Sequence, residues 1–481
     1  MTLTLRWHRV LPDPHCPACG ELPDDSPAAA RLSIEPRIKP ARDRYRLRSL
    51  TARAADLEAA YHDEETGLVR SLAHGAQGGL TVAAAEIGLR GDDATESGYG
   101  RSRDYRTARV TAIAEALERY AGMEPGGRRT TVRAPYADVR AQAVHPETLG
   151  LYPAAAYRQP GFPYRPFDER QLYRWVWGYS FARSAPVLLP ESYVYYRSRR
   201  THPDEPALVY EVSNGCALGS CLEEAVLHGI LEVAERDAFL LTWYARMTPP
   251  RLDPASAGDP ALPLLAATIE AETGYRVELF DITLEQGVPA VWALAADATG
   301  EPHRARAACA AACHPDQGQA ALNALAELGP LLPDLGRAYA ARADLAAAMA
   351  RDASLVTEME HHALLYAEPS VFDRFDFLTR STQTVPLRPD ILGGADLGAD
   401  LTAMIGRYLA TGLDVVVVDQ TTPEQRAGGF TCVKVVVPGT LPMTFGQANR
   451  RVHGLPRLVS VPAALGRAVP RELNPHPHPF P

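Results

Sequence analysis

Two apolar helical segments carry glutamates along one side, and no other feature restricts the fold of this chain so sharply. In TAIAEALERYAG, Glu115 and Glu118 are three apart and share a helix face. In LEEAVLHGILEVAERDAF, the residues Glu224, His228, Glu232 and Glu235 follow at i, i+4, i+8 and i+11. At 3.6 residues per turn that is one continuous stripe, with Val226, Ile230, Val233 and Leu240 opposite. Crowded carboxylates repel and raise one another's pKa unless a cation sits between them. Mg²⁺ takes carboxylate oxygens together with substrate phosphates. Two such helices facing each other are therefore expected to hold Mg²⁺ bridging a nucleotide. The competing reading is a solvated face paired with Arg119 and Arg236. Spacing alone does not decide between them.

The rest of the chain predicts a mixed α/β (α+β) fold with β-sheets and flanking helices. A length of 481 residues implies two or three packed units. Residues 1–60 are polar and Pro/Arg-rich and read as an N-terminal extension. Core patterning begins near Gly78, and 61–481 reads as the working domain. Helices are expected at 105–122, 221–244, 316–328 and 338–360. Strands are expected at 173–181, 187–196, 276–281, 289–295, 413–419 and 432–437. SNGCALGS (Ser213–Ser220) reads as a loop feeding the second acidic helix. GYGRSR (Gly98–Arg103) reads as a Gly-rich loop ahead of the first, able to cradle phosphate with Arg101 and Arg103. The two acidic helices resemble each other loosely, as an internal pseudo-duplication would produce.

Composition excludes several functions. The net charge of −9 argues against nucleic-acid binding. No stretch reaches the roughly 18–20 apolar residues of a membrane helix, and MTLTLRWHRVLPDPHC has no secretory h-region. Seven cysteines, thinly spread, suit a reducing cytoplasm. Phosphate-loop, kinase and dinucleotide signatures are absent. HCPACG supplies Cys16 and Cys19, half of a zinc knuckle. A partner, or a second copy in a homodimer, would have to supply the other half. Cys309, Cys313 and His314 read as buried strand and loop, and His228 as a structural histidine.

At these residues the chain resembles the YcaO family. Thr111-AIA-Glu115-AL-Glu118-Arg119 matches its Ser-xxx-Glu-xx-Glu-Arg motif, with Thr for Ser. SNGCALGSCLEEAVLHGILEVAERDAF matches its second signature, with Ser220 where Asn is frequent. LFDIT (Leu279–Thr283) and VKVVVPGTLPM (Val433–Met443) match further, over roughly residues 75–481. Glu327 is followed by Leu-Gly-Pro-Leu where many relatives carry Gln or Arg.

The resemblance implies a YcaO-type ATP-binding fold. It assigns Mg²⁺ to Glu115, Glu118, Glu232 and Glu235, and ATP to Thr111, Glu115, Glu118, Ser220, Glu224 and Arg236. It implies a cyclodehydratase that phosphorylates a backbone amide oxygen of a ribosomally made precursor peptide, turning Cys, Ser or Thr into thiazoline or oxazoline. A ThiF-like leader-peptide-binding partner is implied, and a flavin-dependent azoline dehydrogenase downstream. The terminal Pro477-x-Pro479-x-Pro481 is typical of azoline formers and implies a catalytic tail. Thioamide or amidine formation, or a non-catalytic ATP-binding scaffold, are the alternatives. Proline stiffens such a tail. It is expected to serve the chemistry rather than the fold, so that losing Phe480–Pro481 leaves the melting temperature almost unchanged.

Overall fold

The computed structural model describes residues 5, 7–8, 10–18, 20–89, 94–197, 202, 205, 207–301 and 303–480. Three sheets organise them. The first is the antiparallel meander β1 (Val69–Gln77), β2 (Leu80–Gly88) and β3 (Thr95–Ser102). In β2, Thr81, Ala83, Ala85 and Ile87 are buried, the alternation of a strand with one covered face. The cover is helix α1 (Tyr105–Met123), opened by Asp104, whose carboxylate accepts from the Thr107 N–H at 2.8 Å.

This packing explains GYGRSR. It is not a phosphate loop: Gly98–Ser102 is the end of β3, lying directly under α1. A Cβ on Gly98 would overlap the Ala116 amide nitrogen, and one on Gly100 the Ala108 carbonyl. The glycines are there because the helix backbone comes so close.

The second sheet has the order β11-β10-β9-β8-β12, formed by β8 (Arg251–Asp253), β9 (Arg276–Asp281), β10 (Ala290–Ala296), β11 (Ala307–Cys313) and β12 (Thr384–Pro386). All of β11 is buried, Cys309 and Cys313 included. The third sheet runs β4-β5-β13-β14-β7, with β6 paired to β5. Its strands are β4 (Val132–Pro135), β5 (Leu172–Ser180), β6 (Ala185–Pro190), β7 (Cys216–Gly219), β13 (Val416–Asp419) and β14 (Thr431–Val436). SNGCALGS is thus largely strand, since Cys216–Gly219 pairs with Thr431–Lys434. The strand expected at 187–196 stops at Pro190, where Glu191–Val194 turns helical.

Helix α2 (Leu222–Tyr244) packs on β7 and β14 of the third sheet and on β10 and β11 of the second. It is buried on both flanks, so its apolar side is wider than one stripe. Helix α3 (Gln317–Arg351) covers β10 and β11 and joins the two helices expected at 316–328 and 338–360 up to Arg351. Pro330 and Pro333 lie inside it, and the non-helical φ/ψ of Arg342 marks a kink. Helix α4 (Met359–Ala367) packs against it. The arrangement of a three-stranded meander followed by a covering helix occurs twice, as β1-β2-β3-α1 and as β9-β10-β11-α3.

The N-terminal segment is tied across this framework. Lys39 Nζ meets Asp400 at 2.7 Å with both side chains buried, Tyr45 donates to Asp390, and Leu57 and Tyr61 enter the core beneath α1. Among the described residues no helix is long and apolar enough to cross a membrane.

The close approach of β3 and α1 generates a stability test. Gly100→Ala should cost about 1–3 kcal/mol through overpacking. Gly75→Ala in β1, where an added methyl meets nothing, should stay within about 0.5 kcal/mol. Thermal unfolding of the two variants measures the difference, and equal stabilities would contradict this packing.

Candidate functional site

The acidic faces of α1 and α2 meet beside β7. Its backbone joins them: the Leu218 N–H donates to Glu118 Oε2 at 2.9 Å, and α2 begins four residues later, at Leu222. Glu115 accepts from the Tyr99 N–H at 2.8 Å and from Arg119 at 2.9 Å, while Arg119 also reaches Glu96 at 2.6 Å. Arg236 lies 3.7 Å from both Glu232 and Glu235. The latter two carboxylates are recessed, with side chains 21% and 15% exposed.

Electrostatics show which charges share this space. Burial is the main cause lifting Glu118, Glu232 and Glu235 well above the ordinary carboxylate range. Repulsion adds to it: Glu115 acts on Glu118, Glu118 on Glu232, and Glu232 on Glu235. Glu327, on α3, is also raised by burial and by Glu115, and it acts in turn on Glu235. The four glutamates expected in one site are therefore brought together, and Glu327 joins them. Its sequence signal was a lone carboxylate inside the apolar run ALNALAELG. The partly compensating cations are Arg236, with Arg46 near Glu118, Lys434 near Glu232 and Arg101 near Glu327.

A site with this excess of carboxylate fits a hard cation. Among the described residues, no three His, Cys, Asp or Glu side chains converge tightly enough to hold a metal by themselves. Glu115, Glu118, Glu232 and Glu235 are the residues that would hold it.

The remaining nucleotide candidates lie nearby. Thr111 is one turn ahead of Glu115 on α1. Ser220 donates to Glu224 at 2.7 Å, and buried Glu224 also takes the Leu47 N–H and Arg46, each at 3.0 Å. Arg46 was not anticipated; RDRYRLR carried only a general basic signal. His228 is buried beside Tyr45 and His314 and is held neutral, because burial depresses its pKa well below the usual range. The stripe is thus divided, with Glu224 bound by Ser220, Leu47 and Arg46 at one end, a core histidine, and the carboxylate cluster.

The C-terminal tail corrects one expectation. It is threaded into the core. The carbonyls of Pro475, His476, Pro477, His478 and Pro479 accept from Gln447, Trp243, Tyr366, His362 and Cys309 in turn. Proline cannot donate, so side chains of the core supply the donors. Phe480 is 4% exposed, edge-on to Phe239 and over Arg236. The tail therefore belongs to the fold as well, and losing Phe480–Pro481 removes core contacts. Pro477 and Pro479 are held by Tyr366 and Cys309; Pro481 lies outside the described residues, as does Cys19 of the half-knuckle. Zinc gains no support at Cys16, since no metal-ligating cluster forms among the described residues.

The raised carboxylates predict a pH dependence. At these carboxylates the folded chain holds more protons than the unfolded chain between the ordinary glutamate value of 4.5 and about 8. Their contribution to metal-free stability must fall as pH rises through that window. Buried neutral histidines such as His228 and His362 act in the opposite sense below about 6.5. The informative quantity is therefore the Glu235→Gln minus wild-type difference in melting temperature, measured in EDTA. It should grow from pH 5 to about pH 8 and then level off. A difference independent of pH would contradict the crowding.

Comparison with known proteins identifies the family and the fold. The model of a family described as YcaO cyclodehydratase, ATP- and Mg²⁺-binding, matches residues 99–441. An uncharacterized protein of the tfuA 3′ region of Rhizobium leguminosarum bv. trifolii is 28% identical over 254 residues, covering 49% of this chain and 54% of its own. A heterocyclase in complex with substrate and cofactor superposes with a TM-score of 0.78 at 24% identity, covering 99% of this chain and 63% of that one. YcaO from Methanopyrus kandleri, bound with AMPPCP and Mg²⁺, gives a TM-score of 0.56 at 22% identity, covering 82% and 92%. The chain thus spans about half the length of the curated relative and under two thirds of the heterocyclase. With the family match covering most of its length and these folds in agreement, the chain belongs to the YcaO family.

Proposed function

We propose that this chain is an ATP-dependent peptide cyclodehydratase that forms azolines. The observation that carries the reading is the Pro-x-Pro-x-Pro tail, seated in the core so that Phe480 lies over Arg236 beside the carboxylate cluster. In the proposed reaction a Cys thiol, or a Ser or Thr hydroxyl, of the peptide attacks the preceding amide carbon and loses its proton to a base. The amide oxygen takes the γ-phosphoryl group of ATP and ADP leaves. The nitrogen then gives up its proton, the C–O bond breaks, and the ring closes with a C=N bond as inorganic phosphate departs. Phosphorylation is needed because an amide oxygen is otherwise a poor leaving group.

Glu115, Glu118, Glu232 and Glu235 would hold Mg²⁺, which when bound neutralises phosphate charge. Thr111, Ser220, Glu224 and Arg236 would hold the nucleotide. The carboxylate at Pro481 would serve as the base, with Pro477 and Pro479 fixing the approach of the tail. A ribosomally made precursor peptide is the substrate. A ThiF-like protein would present its leader. A flavin-dependent dehydrogenase would act afterwards, in the cytoplasm.

Two experiments test the reading. Glu118→Gln and Glu235→Gln remove charge at nearly constant volume. Each should lower peptide-dependent ATP turnover at least about 100-fold, roughly 2.7 kcal/mol in barrier, with the fold retained. Near-normal turnover in both would overturn the metal assignment. At the tail, removing Phe480–Pro481 should abolish ring formation and also lower the melting temperature. Residues appended after Pro481 leave the buried contacts of Asn474–Phe480 in place. They should abolish ring formation, read by mass spectrometry, with little loss of stability. Full cyclisation by the extended protein would remove the carboxylate from the chemistry.

A further inference from the structure

The guanidinium of Arg236 occupies an unusual position. It lies 3.7 Å from each of two carboxylates, longer than the roughly 2.7–2.9 Å of a charge-assisted hydrogen bond. Its Nε is buried and makes no hydrogen bond. A freely rotating arginine between two glutamates would collapse onto one of them. What holds it off is a ring: the face of Phe480 lies 4.4 Å from the guanidinium carbon. That ring is fixed in turn. Phe239 meets it edge-on at 4.9 Å and stacks on Trp292 at 3.9 Å. The chain just before it is pinned by the Cys309 thiol to the Pro479 carbonyl and by His362 to the His478 carbonyl.

We infer that Phe480 is a positioning residue for the nucleotide site. Its ring holds Arg236 away from Glu232 and Glu235, so that seating the tail and binding Mg²⁺–nucleotide strengthen each other. The inference rests on the proposed nucleotide site and adds its coupling to the tail. With the ring in place, the carboxylates stay open to a cation and the guanidinium edge stays open to phosphate. Without it, Arg236 pairs with a glutamate and competes with the metal. Coupling between two binding events is reciprocal, so the nucleotide must also tighten the tail.

Titration calorimetry with Mg²⁺ and AMPPCP, which needs no turnover, provides the test. Phe480→Leu keeps apolar bulk and loses the ring face; its dissociation constant should rise about five- to tenfold. Arg236→Lys keeps the charge and loses the planar stack. The double variant should be little worse than the weaker single one, because both remove the same interaction. Additive losses, or wild-type affinity in Phe480→Leu, would overturn the coupling. Glu235→Gln is measured alongside. If it too binds like wild type, the nucleotide assignment fails; if it alone is weakened, only the coupling fails. Hydrogen exchange on the unmodified protein checks the reverse direction without any variant. Saturating Mg²⁺–AMPPCP should slow exchange at the His478 and Phe480 amides, and unchanged rates there would also overturn the inference.

Discussion

Like charge held in a confined space sets the terms for the rest of this molecule. Glu118, Glu232, Glu235 and Glu327 come from three helices and are pushed toward their neutral forms by burial and by one another. No chain gains stability from such a cluster alone. The surrounding framework holds it in place. Helix α2 is clamped between two sheets, α1 is pressed onto β3 by its glycines, and the Leu218 amide ties the two helices together. The site is assembled by elements whose own cores are apolar and well packed, and it is left poised for a cation.

The same logic accounts for the ends of the chain. The N-terminal segment sends Arg37 to Glu223 and Arg46 to Glu224 at the start of α2. The C-terminal segment sends Phe480 to Arg236, about three and a half turns further along. The central helix is thus contacted at its N-terminal end by one terminal segment and at the carboxylate end by the other. The alternating prolines leave the tail with few N–H donors, so its fixed path depends on donors from Tyr366, His362, Trp243 and Cys309.

Much of this was legible in the sequence. Helix α1, helix α2 and strand β9 fall within a residue or two of their expected bounds, because strong apolar periodicity fixed them. The glutamate stripe pointed to one site because i, i+3 and i+4 spacing is a property of the helix itself. Other features needed tertiary context. GYGRSR looked like a loop because its glycines answer to a helix that packs on them, which local sequence cannot reveal. Cys216–Gly219 looked like a loop because it pairs with one strand more than 200 residues away. Arg46 and Glu327 were hidden for the same reason: one lies in an arginine-rich stretch, the other in a helix whose partners are distant. The tail was misjudged in its burial because proline pattern reports stiffness, not the donors that receive it.

The central claim is that the carboxylates of α1 and α2 share a divalent cation with a nucleotide. Anomalous diffraction from crystals grown with Mn²⁺ and AMPPCP tests it most directly. The account predicts a manganese peak bounded by Glu115 or Glu118 on one side and Glu232 or Glu235 on the other, with phosphate oxygens completing its shell. A manganese–nucleotide complex bound elsewhere on the protein, with these glutamates left apart from it, would contradict the account.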